Sequence, residues 1–174
     1  MQFSTETTKL ILEQGVNRSG FGLGLSFYDS RTPSLVIIDR SLSIQRFVQK
    51  SLGAISSNPY FETIRRITIT LPPSTLIHWP TFLGNFKHLL ELDAWAHHGP
   101  ATLAALTHLF PGETPLCPSL RRIRFFGGDP VVNTIPGYRL LQLSNFRATH
   151  GCGPIKVTVY DGKGGPGVRI YKCT

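Results

Sequence analysis

Ile64-Arg-Arg-Ile-Thr-Ile-Thr70 carries apolar side chains at its first, fourth and sixth positions and polar ones between them. Ile67 and Ile69 alternate with Arg66, Thr68 and Thr70, the period of two expected of a strand with one buried face. The same apolar-x-x-apolar-x-apolar hexad recurs at Leu89/Leu92/Ala94 and at Leu120/Ile123/Phe125. Weaker copies stand at Leu23/Leu25 after Gly20 and at Val157/Val159 after Pro154. Anchors at 20, 64, 89, 120 and 154 are separated by 44, 25, 31 and 34 residues, intervals that suit one strand and one helix each.

Between the hexads the hydrophobic period lengthens. Ile44, Phe47, Val48, Leu52 and Ile55 lie at offsets of 3, 4, 8 and 11, one stripe of an amphipathic helix. Leu103, Leu106, Leu109 and Phe110 form a second stripe, and Leu140, Leu143 and Phe146 a third, with Pro136 suited to that helix's first turn. A short helix through Trp79 and Leu83 is expected to be capped by Ser74 and interrupted by Pro80. Pro111, Pro115 and Pro118 end the next helix before its strand. Lys9-Leu-Ile-Leu-Glu13 followed by Gly20 to Asp29 parallels Arg139-Leu-Leu-Gln-Leu143 followed by Gly153 to Asp161, so both are read as helix, Gly-containing turn and strand. The loop Asp29 to Pro33 and the apolar run Leu35-Val-Ile-Ile38 lengthen the first interval and are strand or turn.

A lone strand and helix cannot cover the apolar face they make, whereas stacked units cover one another. The expectation is therefore an α/β fold: a short, irregular leucine-rich-repeat solenoid with a parallel sheet on its concave side and helices on its convex side. It forms a single domain over residues 1–174, with units near 7–28, 43–70, 74–95, 101–126 and 136–160, and a Gly-rich tail, 161–174, with an edge strand.

Composition bounds the function. With 41% hydrophobic residues in 174, one continuous core is affordable and two domains would be crowded. Eighteen basic against ten acidic residues give a net charge of +8, favouring acidic partners. Cys117, Cys152 and Cys173 are odd in number and lack C-x-x-C spacing, which argues against a disulfide framework and for a reducing compartment. The start Met1-Gln-Phe-Ser-Thr-Glu lacks a signal-peptide pattern and no apolar run is long enough for a bilayer, so the expected location is intracellular, in cytoplasm or nucleus, without membrane contact.

If the hexad anchors point inward, alternation turns Arg66, Thr68, Thr70, Glu91, Asp93, Trp95, Arg122, Arg124, Phe126, Lys156, Thr158 and Tyr160 outward. Aromatics and arginines of this kind suit protein or peptide recognition. A blander reading packs Trp95 or Phe126 beneath a loop. Arg121, Arg122 and Arg124, with Arg65 and Arg66, suggest a basic stripe for an acidic or phosphorylated segment flanking Glu91 and Asp93. Reversing Arg122 and Arg124 to Glu is expected to weaken capture without disturbing the fold. Nucleic-acid binding is the rival use of the charge, but the basic residues are scattered and no recognition motif accompanies them. His97, His98 and His108 near Cys117 match no zinc-ligand spacing. Asp161-Gly-Lys-Gly-Gly-Pro-Gly167 and Gly20-Phe-Gly-Leu-Gly24 lack the order of a phosphate-binding loop. No nucleophile or paired-carboxylate arrangement points to catalysis, so no enzyme, cofactor or metal is expected.

Leu10-Ile-Leu-Glu-Gln through Leu23-Gly-Leu-Ser-Phe-Tyr-Asp-Ser, Ile67-Thr-Ile-Thr-Leu-Pro-Pro, Gly84-Asn-Phe-Lys-His-Leu-Leu-Glu-Leu, Leu116-Cys-Pro-Ser-Leu-Arg-Arg-Ile and Leu140-Leu-Gln-Leu before Gly151-Cys-Gly-Pro occur in an order that resembles the leucine-rich-repeat region of fungal, basidiomycete-type F-box proteins. The resemblance implies a ubiquitin ligase adaptor whose repeats hold a substrate while an F-box docks on the ligase core. The F-box trio of helices itself has no counterpart before Leu10, so attachment to the ligase core would require one upstream.

Overall fold

The computed structural model of the protein describes residues 8–17, 20–28, 64–70, 76–109, 114–127, 135–160 and 168–173. Seven strands are present among them: β1 (Thr8–Asn17), β2 (Gly20–Tyr28), β3 (Ile64–Thr70), β4 (Glu91–Trp95), β5 (Arg122–Phe126), β6 (Ile155–Tyr160) and β7 (Val168–Cys173). Three helices intervene: α1 (Trp79–Leu83) before β4, α2 (Gly99–Leu106) before β5 and α3 (Gly137–Thr149) before β6. A single turn of 3-10 helix, Ala96–His98, leads from β4 into α2.

The strands form one open sheet in the order β2-β1-β3-β4-β5-β6-β7. β3, β4, β5 and β6 are mutually parallel, and β1 joins them parallel to β3. β2 and β7 pair antiparallel at the two edges. Parallel neighbours require a crossover, and α1, α2 and α3 supply those between β3 and β6. Pairing begins one residue ahead of the strands: the Leu90 amide donates to the Arg65 carbonyl at 2.8 Å, Arg121 to Leu90 at 2.9 Å, and Lys156 to Arg121 at 2.9 Å.

This register stacks the hexads. Ile67, Leu92, Ile123 and Val157 form one rung, and Ile69, Ala94, Phe125 and Val159 the next. Ile67, Leu92, Ile123, Phe125 and Val157 are all 0% exposed. They share one core with Trp79, Phe82 and Leu83 of α1, Leu103 and Leu106 of α2, and Leu140 and Leu143 of α3. Helices therefore cover one face of the parallel block, and the alternate positions along each strand face away from them.

Several expectations need correction. Lys9 to Glu13 belongs to β1, not to a helix, and Thr8–Asn17 with Gly20–Tyr28 is a hairpin, so the likeness to Arg139–Leu143 is one of composition only. β1 pairs with β2 from Lys9 to Asn17 and with β3 from Thr8 to Glu13, so Lys9 to Glu13 has a strand on both sides, which an isolated helix-like run of five residues cannot match. Pro80 does not interrupt α1; it occupies the first turn, where its missing N–H is no loss. Pro136 stands just outside α3, with φ −62° and ψ 132°, and the helix begins at Gly137. α2 ends at Leu106, short of Leu109. The stripe Ile44 to Ile55, the run 29–38, Ser74, Phe110, Pro111 and the loop 161–167 lie outside the described residues. Among the described residues no helix is long and apolar enough to cross a membrane.

Candidate functional site

Three rungs cross the sheet on the face turned from the helices. Arg66, Glu91, Arg122 and Lys156 stand in register, as do Thr68, Asp93, Arg124 and Thr158; beyond them Trp95 pairs with Phe126. In-register residues share a face, so the alternation that buries the hexads brings these side chains together.

The two charged rungs form one network. Asp93, 3% exposed, accepts from Arg124 Nε at 2.7 Å and Nη2 at 2.9 Å, a bidentate pair, and from Arg66 Nη2 at 3.0 Å. Glu91 accepts from Arg122 Nη1 at 3.0 Å and Arg124 Nη2 at 3.2 Å, with Arg66 Nε at 3.6 Å. Burial acts to lower the Arg124 pKa, but its hydrogen bond to Asp93 and the charges of Asp93, Glu91 and Tyr160 more than offset this, and the net shift is upward. Beside Asp93 in register, the Thr68 hydroxyl is buried without a hydrogen-bond partner among the described residues.

The aromatic row has a different character. Trp95 is 43% and Phe126 37% exposed, and the Phe126 ring stacks on Tyr160 with centroids 4.8 Å apart and planes 10° from parallel. Gly127, at φ +60°, passes beside the indole: a Cβ there would sit 3.0 Å from Trp95, while its carbonyl accepts from the Ala96 amide at 3.3 Å. Only glycine adopts that conformation readily and leaves the ring its place. His97 lies 6.0 Å from Trp95, centroid to centroid.

Of the residues singled out by sequence, Arg66, Glu91, Asp93, Arg122 and Arg124 thus converge on one another, and Trp95, Phe126 and Tyr160 form a neighbouring row. Thr158 lies on the same rung but is buried, Lys156 is exposed, and the side chain of Thr70 lies outside the described set. The arginines of the basic stripe are largely paired within the sheet. Arg66, Arg122 and Arg124 are engaged by carboxylates, and Arg65 donates instead to the His88 carbonyl at 3.1 Å. Nor is Arg124→Glu a benign change, since it would place a carboxylate against a buried Asp93.

Two structural residues carried no sequence signal. Arg147 of α3 is 3% exposed and donates to the carbonyls of Gly153, Pro118 and Leu120. Cys117, at φ +47°, buries a free thiol whose pKa burial pushes up to about 12, with Arg147 acting in the opposite direction. Gly127 was the one legible hint, a glycine directly after an outward aromatic. His98 packs on Trp79 at 5.6 Å, and among the described residues no three His, Cys, Asp or Glu gather as metal ligands. Comparison with known protein families, curated proteins and solved structures finds no match to the chain.

Proposed function

We propose that the chain is a protein-interaction module: a short leucine-rich-repeat solenoid whose concave side is the face turned from the helices, and which binds a partner there instead of catalysing a reaction. The observation that carries this reading is the aromatic row. Trp95, Phe126 and Tyr160 lie side by side on adjacent strands, large rigid side chains held partly in solvent next to polar neighbours that already satisfy one another. Exposed aromatics on a rigid platform give contact area at little entropic cost. Glu91 and Asp93 are both clasped by arginines, so the two carboxylates are already occupied within the face. By the resemblance drawn from sequence, the partner would be a substrate presented to a ubiquitin ligase.

A competing apolar patch exists on α3, where Tyr138 is 57% and Leu141 63% exposed. Peptides selected by display on the whole chain separate the two surfaces. Binding of the selected peptides is expected to fall at least about tenfold in Trp95→Ala and Phe126→Ala and to survive Tyr138→Ala with Leu141→Ala. The reverse pattern would move the site to the helices and end this reading, as would complete displacement of the peptides by a single-stranded oligonucleotide.

A further inference from the structure

On β3 to β6 the face carries four cations, Arg66, Arg122, Arg124 and Lys156, against two carboxylates, Glu91 and Asp93. The surplus of two is not spread evenly. Asp93 is enclosed by Arg66 and Arg124, and Glu91 is shared by all three arginines. Lys156 is exposed and has no ion-pair partner among the described residues, while its in-register neighbour Arg122 keeps 47% of its side chain in solvent. The uncompensated charge is therefore local to one rung, at the start of β5 and β6. On the far side of Lys156, the register position is again a lysine, Lys172 of β7.

The same two strands carry Phe126 and Tyr160, each four residues further along than Arg122 and Lys156. Four residues of strand span roughly 13 Å. We propose, resting on the interaction reading above, that β5 and β6 present a two-point dock for an extended acidic peptide: a carboxylate at Arg122 and Lys156, and an apolar side chain against the Phe126–Tyr160 stack. A peptide in extended conformation bridges that distance with about four residues, so the motif it would carry is an Asp or Glu and, four positions away, a Leu, Ile or Phe. Between the points lie Arg124 and Thr158, one engaged by Asp93 and the other buried, so the intervening peptide positions are met by no free charge. The ligand chemistry follows from complementarity: a second basic partner is repelled by the surplus, and a neutral one leaves it unused.

The test uses the whole chain at low salt and three synthetic peptides of about ten residues: one with paired glutamates four positions from a leucine pair, one with glutamines replacing the glutamates, and one with lysines there. Fluorescence anisotropy should show the acidic peptide binding at least about fivefold more tightly than the neutral one, with the difference vanishing as salt is raised. Lys156→Glu, at an exposed position without an ion pair, should abolish that preference and gain affinity for the lysine peptide. Phe126→Ala should weaken the acidic and neutral peptides equally. If acidic and neutral peptides bind alike, and both depend on Phe126, the acidic dock is wrong while the interaction reading stands. If no peptide binds, or binding ignores Lys156 and Phe126 alike, both fall.

Discussion

Desolvating a carboxylate as completely as Asp93 costs several kcal/mol, and in this protein the bidentate Arg124 and the flanking Arg66 provide the offset. Removing the carboxylate strands the largely buried Arg124 guanidinium, whereas removing both charges together leaves Arg66 and Glu91, which are partly exposed and keep each other at 3.6 Å. Asp93→Ala is accordingly expected to lower unfolding stability by about 3 kcal/mol, and Asp93→Leu combined with Arg124→Leu by much less. Urea denaturation of the two variants decides it; equal losses would mean that the network contributes ordinary surface pairing only. A second residue sets a pH dependence. The Cys117 thiol ionises near 9 when solvated and near about 12 when folded, because burial disfavours the thiolate. Its folded pKa is the higher one, so its contribution to stability is complete below pH 9 and is lost as pH rises toward 12. Thermal melts over that window should fall more steeply in the wild type than in Cys117→Ala, and parallel slopes would contradict the assignment.

At the scale of elements, one side chain fastens two crossovers. Arg147, in the last turn of α3, donates Nε to the Gly153 carbonyl at 2.9 Å ahead of β6, and Nη2 to Pro118 at 3.1 Å and Leu120 at 2.9 Å ahead of β5. Arg147→Met should cost about 2 to 3 kcal/mol, with faster amide exchange at the start of both strands, and Arg147→Lys should recover only part because an ammonium cannot fork to separated acceptors. Unchanged exchange ahead of β5 would show that the contact fastens β6 alone. The sequence carries no sign of this, since two of the three acceptors, Pro118 and Leu120, lie 29 and 27 residues away and backbone carbonyls carry no residue signature. The hexads were legible for the opposite reason: Ile67 and Ile69 recur in register as Leu92 and Ala94, Ile123 and Phe125, and Val157 and Val159, one alternation repeated on each parallel strand. The first unit misled because Leu10-Ile-Leu12 is too short for periodicity to separate strand from helix, and what decides it is the pairing of β1 with β3 across the long interval. The site was half legible. Alternation identified which residues share the face, but whether its arginines are free or neutralised depends on register between strands, as Glu91 opposite Arg66 and Arg122, and Asp93 opposite Arg124, show.

Taken as a whole molecule, the parallel block packs its core, among the described residues, on the helix side, so each strand and its helix are covered there by the strands and helices on either side. Phe125 sits at the middle of this arrangement, 0% exposed, with Ala94 on one side of it and Val159 on the other, and within reach of the Gly99 position that begins α2. Truncating it opens a cavity shared by three units, and Phe125→Ala is expected to cost about 3 to 5 kcal/mol. Stacked units transmit such a loss through their interfaces, so amides of β4, β5 and β6 should lose protection together and by similar free energies in hydrogen exchange, while a small rise confined to β5 would mean that each strand is held by its own helix. That distinction bears on binding, because a face assembled from three cooperating strands presents Trp95, Phe126 and Tyr160 as one platform. If β6 instead exchanges independently of β4 and β5, Tyr160 and Lys156 would move apart from Phe126 and Arg122, and a ligand spanning β5 and β6 would have to supply the free energy that docks them.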